Sequence, residues 1–156
     1  MLKGLDPLLD ADLLFVLAGM GHGDEIAIVD RNFPAAALAQ RLVRLTGNDT
    51  SSVARAIFSV LPIDTYVDAP LIRMQVVEDP EAIPPVQSEL LQIAELAEGR
   101  PLTMGSLPRM RFYERAKRAF AIVATGEARG YGDFLISKGG VAPVADERAR
   151  GENAGT

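Results

Sequence analysis

The sequence predicts an α/β fold: a single layered domain whose central sheet, mostly parallel or mixed, is flanked by helices. Three observations point there. Stripes of apolar residues at helical spacing alternate along the chain with short apolar runs of strand length. The two patterns follow one another without segregating, which is the order that layered α/β domains show. The length of 156 residues and the 48% hydrophobic content suit one domain with a sizeable core.

The elements are taken in order. Leu13, Leu14, Val16, Leu17 and Met20 share one helical stripe, which Asp10 or Asp12 can cap and Gly19 or Gly21 can end. Residues 25–30 then read as a short buried strand with Asp30 at its C-terminal end, and 31–34 as a turn. Residues 35–47 admit two readings. The alanines favour helix, whereas Leu42-Val43-Arg44-Leu45 before Gly47 suits a strand. Asn48-Asp49-Thr50-Ser51 is a helix-start cluster, after which Val53, Ile57, Val60 and Leu61 keep helical spacing until Pro62.

Residues 71–77 predict a strand in which Ile72, Met74 and Val76 alternate with Arg73 and Gln75. Pro84 and Pro85 suit the first turn of a helix that buries Val86, Leu90, Ile93 and Ala97 and stops at Gly99. A helix over 112–118 is followed by a strand over 119–124, and 134–137 supplies the last strand. Residues 1–141 thus form the domain. The small, polar and charged residues of 142–156 predict a flexible tail.

Composition narrows the function. The net charge of −5 argues against a nucleic-acid partner, which needs a cationic face. Zero cysteines removes disulfides, thiolate nucleophiles and thiolate zinc sites, and suits a cytoplasmic location. The longest strongly apolar stretch, residues 13–20, is too short to span a bilayer, and the N-terminus does not read as a signal peptide.

The sole histidine, His22, sits in Met20-Gly21-His22-Gly23-Asp24-Glu25 at the end of the first helix. An imidazole is the side chain best suited to passing protons near neutral pH, and its glycine neighbours allow a sharp bend and close approach by a ligand. The glycines resemble part of a dinucleotide fingerprint, but here the helix comes first and the strand second, the reverse of what pyrophosphate binding requires. The bland alternative is a helix stop with a surface histidine. Two features favour function: a loop set on a rigid scaffold, and Asp30 at a strand's C-terminal end, where open α/β sheets place ligand crevices. A carboxylate such as Asp30 near the imidazole would orient its ring.

Arg109, Arg111, Arg115, Lys117 and Arg118 form a basic segment, mostly a solvated helix face. Arg109, in a loop beyond the predicted helix, is the one that can turn inward. Tyr113 and Tyr131 can pack in a core or bind a polyol.

The chain resembles the fucose mutarotase and D-ribose pyranase family, nearer its fucose branch. The strings that carry the resemblance are Met1-Leu2-Lys3-Gly4, residues 20–26, Asp30 with Asn32-Phe33-Pro34-Ala35, residues 61–66, Phe112-Tyr113-Glu114-Arg115-Ala116, Ala119-Phe120-Ala121, Thr125-Gly126-Glu127, Tyr131-Gly132 and Lys138-Gly139. They run in order to about residue 140.

The resemblance implies an isomerase that needs no cofactor and no metal, exchanges the α and β anomers of L-fucose or a related monosaccharide, and assembles as a ring-like homo-oligomer with sites near subunit boundaries. His22 matches the proton donor, with Tyr113 or Tyr131 as relay for the second proton. Asp30, Asp64, Arg109, Tyr131, Gly132 and residue 133 match sugar-binding positions. Position 133 is asparagine in the family's motif and Asp133 here. An amide donates and accepts, whereas an ionised carboxylate only accepts. Two other readings use the same residues: a non-catalytic sugar-binding accessory to monosaccharide uptake, and a generic α/β interaction module.

Overall fold

The computed structural model describes residues 1–143, so almost all of the segment expected to be a flexible tail lies outside the described residues. Five helices and six strands alternate: α1 (Ala11–Gly19), β1 (Glu25–Val29), α2 (Ala35–Leu38), β2 (Leu42–Leu45), α3 (Thr50–Phe58), β3 (Leu71–Met74), α4 (Pro85–Glu98), β4 (Met104–Leu107), α5 (Arg109–Arg118), β5 (Ala121–Thr125) and β6 (Phe134–Ser137).

The strands form one sheet in the order β2-β5-β1-β6-β3-β4. β2, β5 and β1 are parallel, as are β3 and β4. β6 runs antiparallel between β1 and β3 and joins the two parallel groups. The sheet is therefore mixed.

Side-chain alternation divides the core into two layers. Ile26 and Ile28 of β1, with Phe134 and Ile136 of β6, face α1, α3 and α4. Ala27 and Val29, with Leu135, face α2 and α5. Helices on both faces explain why β1 and β5 are apolar at nearly every position rather than at every second one.

Local chemistry sets the helix ends. The Asp10 carboxylate accepts from Leu13 N–H at 2.9 Å and starts α1, and Asp49 does the same for α3 through Ser52 N–H at 2.7 Å. Pro85 opens α4, and Gly99, at φ +67°, closes it in the left-handed conformation.

Several sequence expectations need correction. The two readings of 35–47 are both right in part, because a one-turn helix is followed by a strand. α3 ends at Phe58, ahead of Pro62. α5 starts at Arg109, so Arg109 is the helix's first residue and not a loop residue. The strand expected over 71–77 ends at Met74, and Arg73 is buried instead of lying on a wet face. The strand after α5 is shifted to 121–125. β4 was not foreseen: Met-Gly-Ser-Leu lacks both an apolar run and strict alternation.

Candidate active site

The His22 turn is built by backbone needs. Gly23 adopts φ +85°, a conformation open to glycine, and its N–H donates to Lys138 C=O at 2.8 Å. The Asp24 carboxylate accepts from Gly21 N–H at 2.7 Å. Lys138 Nζ donates to the carbonyls of Leu17 and Met20, placing a cation on the C-terminal end of α1.

His22 leans over Asp64. Its Nε2 lies 3.0 Å from Asp64 Oδ1; the imidazole side chain is 49% exposed and the carboxylate 3%. The same oxygen accepts from the backbone N–H of Thr65 at 2.8 Å and Tyr66 at 3.1 Å. Burial pushes the Asp64 carboxyl up, but these hydrogen bonds, led by the one from His22, outweigh it and hold the group below the usual carboxylate range. An ionised Asp64 accepts the Nε2 proton, which leaves Nδ1 as the free ring nitrogen. The exposed Tyr66 ring covers the imidazole, with centroids 5.3 Å apart.

A second cluster gathers where β1, β4 and β5 end and β6 begins. Asp30 follows β1, Asp133 precedes β6, and Arg109 and Tyr113 stand on the first turns of α5. Asp30 N–H donates to Asp133 Oδ1 at 3.0 Å, and Asp30 Oδ1 accepts from Asn32 N–H at 2.9 Å. Tyr113 packs edge-on against Phe33. Burial raises its phenol, and the carboxylates of Asp133 and Asp30 add to that against the opposing pull of Arg109. Tyr113 is thus held as a hydroxyl donor. Asp30, with Phe33, Arg31, Arg44, Thr46 and Thr125, borders a cleft of about 450 Å³, a volume suited to a small ligand. A larger groove of about 610 Å³ between α3 and α4 contains neither cluster.

Tyr131 is held in an unusual backbone state. Its φ of +63° is the only left-handed conformation at a non-glycine position among the described residues. Gln87, fully buried, donates to the carbonyls of Tyr131 at 3.0 Å and Met74 at 2.8 Å. Arg73 donates to Gln87 Oε1 at 3.3 Å and to Pro80 C=O at 2.9 Å, which ties the 75–84 loop to the same network. The Tyr131 hydroxyl reaches that loop and accepts from Val77 N–H at 3.3 Å. Beside Gly132 lies Glu127, whose carboxyl is drawn down to about 2, chiefly by the Arg129 guanidinium bonded to it at 2.9 Å.

The residues singled out in the sequence thus fall into two groups. Asp64 joins His22, whereas Asp30, Arg109, Tyr113, Tyr131, Gly132 and Asp133 collect elsewhere. Asp30 is not the partner of His22 within one chain. The two residues flank opposite ends of β1, which at about 3.3 Å per residue puts Asp24 and Asp30 about 20 Å apart. Sequence reasoning missed Arg73, Gln87 and Glu127. Arg73 left a usable signal, an arginine inside an apolar strand; Glu127 stood in the Thr125-Gly126-Glu127 string, and Gln87 left none.

The chain matches the model of the RbsD / FucU transport protein family over residues 3–141. It is 44% identical over 144 residues to L-fucose mutarotase of Histophilus somni (strain 2336), covering 92% of this chain and 99% of that protein. It is 43% identical, with the same coverage, to L-fucose mutarotase of Haemophilus influenzae (strain 86-028NP). A crystal structure of the fucose mutarotase from Streptococcus pneumoniae in complex with L-fucose superposes with a TM-score of 0.81 at 37% identity, covering 90% of this chain and all of that one. Matches of this identity extending over nearly the whole length of the compared chains share more than a fold, and the chain belongs to the RbsD / FucU transport protein family.

Proposed function

We infer that the protein is a mutarotase, an isomerase that exchanges the α and β anomers of L-fucose or a closely related monosaccharide in the cytoplasm. The observation that carries this reading is the half-exposed imidazole of His22 set on the buried Asp64 carboxylate. The near-full-length likeness to L-fucose mutarotases supports it.

Anomer exchange opens and recloses a cyclic hemiacetal. The ring oxygen gains a proton, the anomeric hydroxyl loses one, and the free aldehyde rotates before the ring closes again. His22, oriented through Nε2 by Asp64, presents Nδ1 to the sugar; as the imidazolium it gives the Nδ1 proton to the ring oxygen on opening and takes it back on closure. The anomeric proton is relayed at the Asp30 cluster, where Tyr131 is the hydroxyl held beside the 75–84 loop and Tyr113 donates to a sugar oxygen. Asp30 accepts from sugar hydroxyls, and Arg109 supplies a cation at the rim. The uncatalysed reaction already runs in water. A positioned acid–base pair giving about 10²–10⁴-fold removes roughly 3–5.5 kcal/mol of barrier, which is enough.

The separation of His22 from Asp30 within one chain favours sites completed by two copies. A ring-like homo-oligomer brings the His22 end of one subunit against the Asp30 end of the next. Saturation-transfer NMR on L-fucose tests the activity. His22→Ala is expected to lower exchange by about 10²-fold or more with native circular dichroism. Exchange at the wild-type rate would reject His22 as donor. Sugar binding with no exchange in the wild type would favour the accessory reading instead.

A further inference from the structure

We propose that Asp30 and Asp133 hold one proton between them at neutral pH, so that Asp133 is a carboxylic acid donating a hydrogen bond and Asp30 remains the anionic group of the sugar site. The inference rests on the sugar-site reading above and deepens it. Asp133 acts through Asp30 and is a positioning residue.

The geometry leads there directly. β1 and β6 are antiparallel neighbours, and continuing their register past the last ladder pair, Ile28 with Phe134, sets Asp133 opposite Val29 and diagonal to Asp30. Asp30 is 6% exposed and Asp133 2%. Asp133 Oδ1 accepts from Asp30 N–H at 3.0 Å, which brings the two residues to the same point at the end of the sheet. Among the described residues neither carboxyl has a salt-bridge partner. Two neighbouring carboxyls that are nearly buried and lack an ion-pair partner resist ionising together.

The surrounding titratable groups agree. Asp30 follows β1, and Arg31 beside it and Arg44 of β2 line the cleft that it borders, neither forming an ion pair with it among the described residues. α5 contributes the Tyr113 hydroxyl and, at its exposed start, Arg109. Arg73 of β3 is on the opposite face, bonded to Gln87 of α4. Glu127, beyond Gly132, already has Arg129. The contrast between the two buried acids is instructive: the fold supplies a guanidinium to Glu127 and none to Asp133. Burial first, and then the charge of Asp30, push the Asp133 carboxyl well above the ordinary range. A protonated carboxyl has one donor and spare acceptor capacity, the same pattern that an amide presents. A protonated Asp133 can thus donate as well as accept, where an ionised one could only accept.

The test has two arms. In the wild type, carboxyl-carbon NMR of the assigned Asp30 and Asp133 signals is followed from pH 4 to 9. The proposal expects one of the pair, or their average, to keep a protonated shift at pH 7. Two fully ionised carboxylates at pH 7 would overturn it. This arm does not depend on turnover, so it separates failure of the shared proton from failure of the mutarotase reading. In the second arm, Asp133→Asn installs a donor that cannot titrate. The wild type is expected to lose exchange about tenfold per pH unit once the dyad has given up its proton. D133N should keep measurable exchange and lack that limb, the readout being the slope of the profile above neutral pH and not its height. Superimposable pH profiles, or a folded D133N inactive at every pH, would sink the positioning role.

Discussion

Asp64 shows how one buried carboxylate can set up an imidazole. Three donors converge on its Oδ1, two from the backbone and one from His22. Because its folded pKa lies below the ordinary value, Asp64 contributes stability that is present above about pH 4 and is lost as pH falls through the folded pKa. Thermal melts on an acid series are expected to show that loss in the wild type and a flatter response in Asp64→Asn. The same substitution should slow anomer exchange, since an amide does not fix the imidazole tautomer as a carboxylate does. Equal acid sensitivity of the two proteins would reject this account of Asp64. At this scale the sequence was partly legible. A lone imidazole between glycines is a visible signal, but its partner is not: Asp64 sits 42 residues away. Asp30, only eight positions on, looked nearer because the length of a strand is not apparent from sequence separation.

Elements decide which side chains can meet. β1 is short, yet it is long enough to divide the candidate residues into two groups at its two ends. α5 places Arg109 and Tyr113 on one end of the sheet because Pro108 starts the helix three residues earlier than the apolar pattern suggests. Pro at a helix start needs no hydrophobic stripe to announce it, so apolar spacing alone does not reveal the basic first turn. The 75–84 loop depends on Arg73 and Gln87, which replace a strand extension with a buried hydrogen-bond network. Gln87→Leu removes donors from the Tyr131 and Met74 carbonyls, and buried groups left unpaired cost about 1–3 kcal/mol each. The variant should melt lower and show faster amide exchange in the loop and at Tyr131. Unchanged protection there would mean that the network does not hold Tyr131. Gly126 is a second element-scale constraint. A Cβ at that position would overlap the Thr46 carbonyl oxygen, so Gly126→Ala should destabilise the β5 end by more than about 1 kcal/mol, measured by denaturant midpoint.

At the scale of the whole molecule, every strand but β4 was legible and strand order was not. Periodicity reports whether a segment is covered on one face or two. It carries no information about which strand is the neighbour, because β6 pairs with β1 and β3 across long stretches of chain. The proposed site shared between copies makes a prediction at this scale. His22→Ala and Asp30→Asn, each silent alone, should regain part of the exchange when their subunits are mixed in one oligomer, since some boundaries then carry both intact ends. Mixed assemblies that stay silent would argue that each chain works alone. β6, the last strand among the described residues, lies in the middle of the sheet, and the two parallel groups have no ladder in common without it. A nascent chain emerging from the ribosome therefore carries two unjoined half-sheets with open edges until residues 134–137 arrive, and chaperone capture should peak just before that point and fall once the strand has inserted.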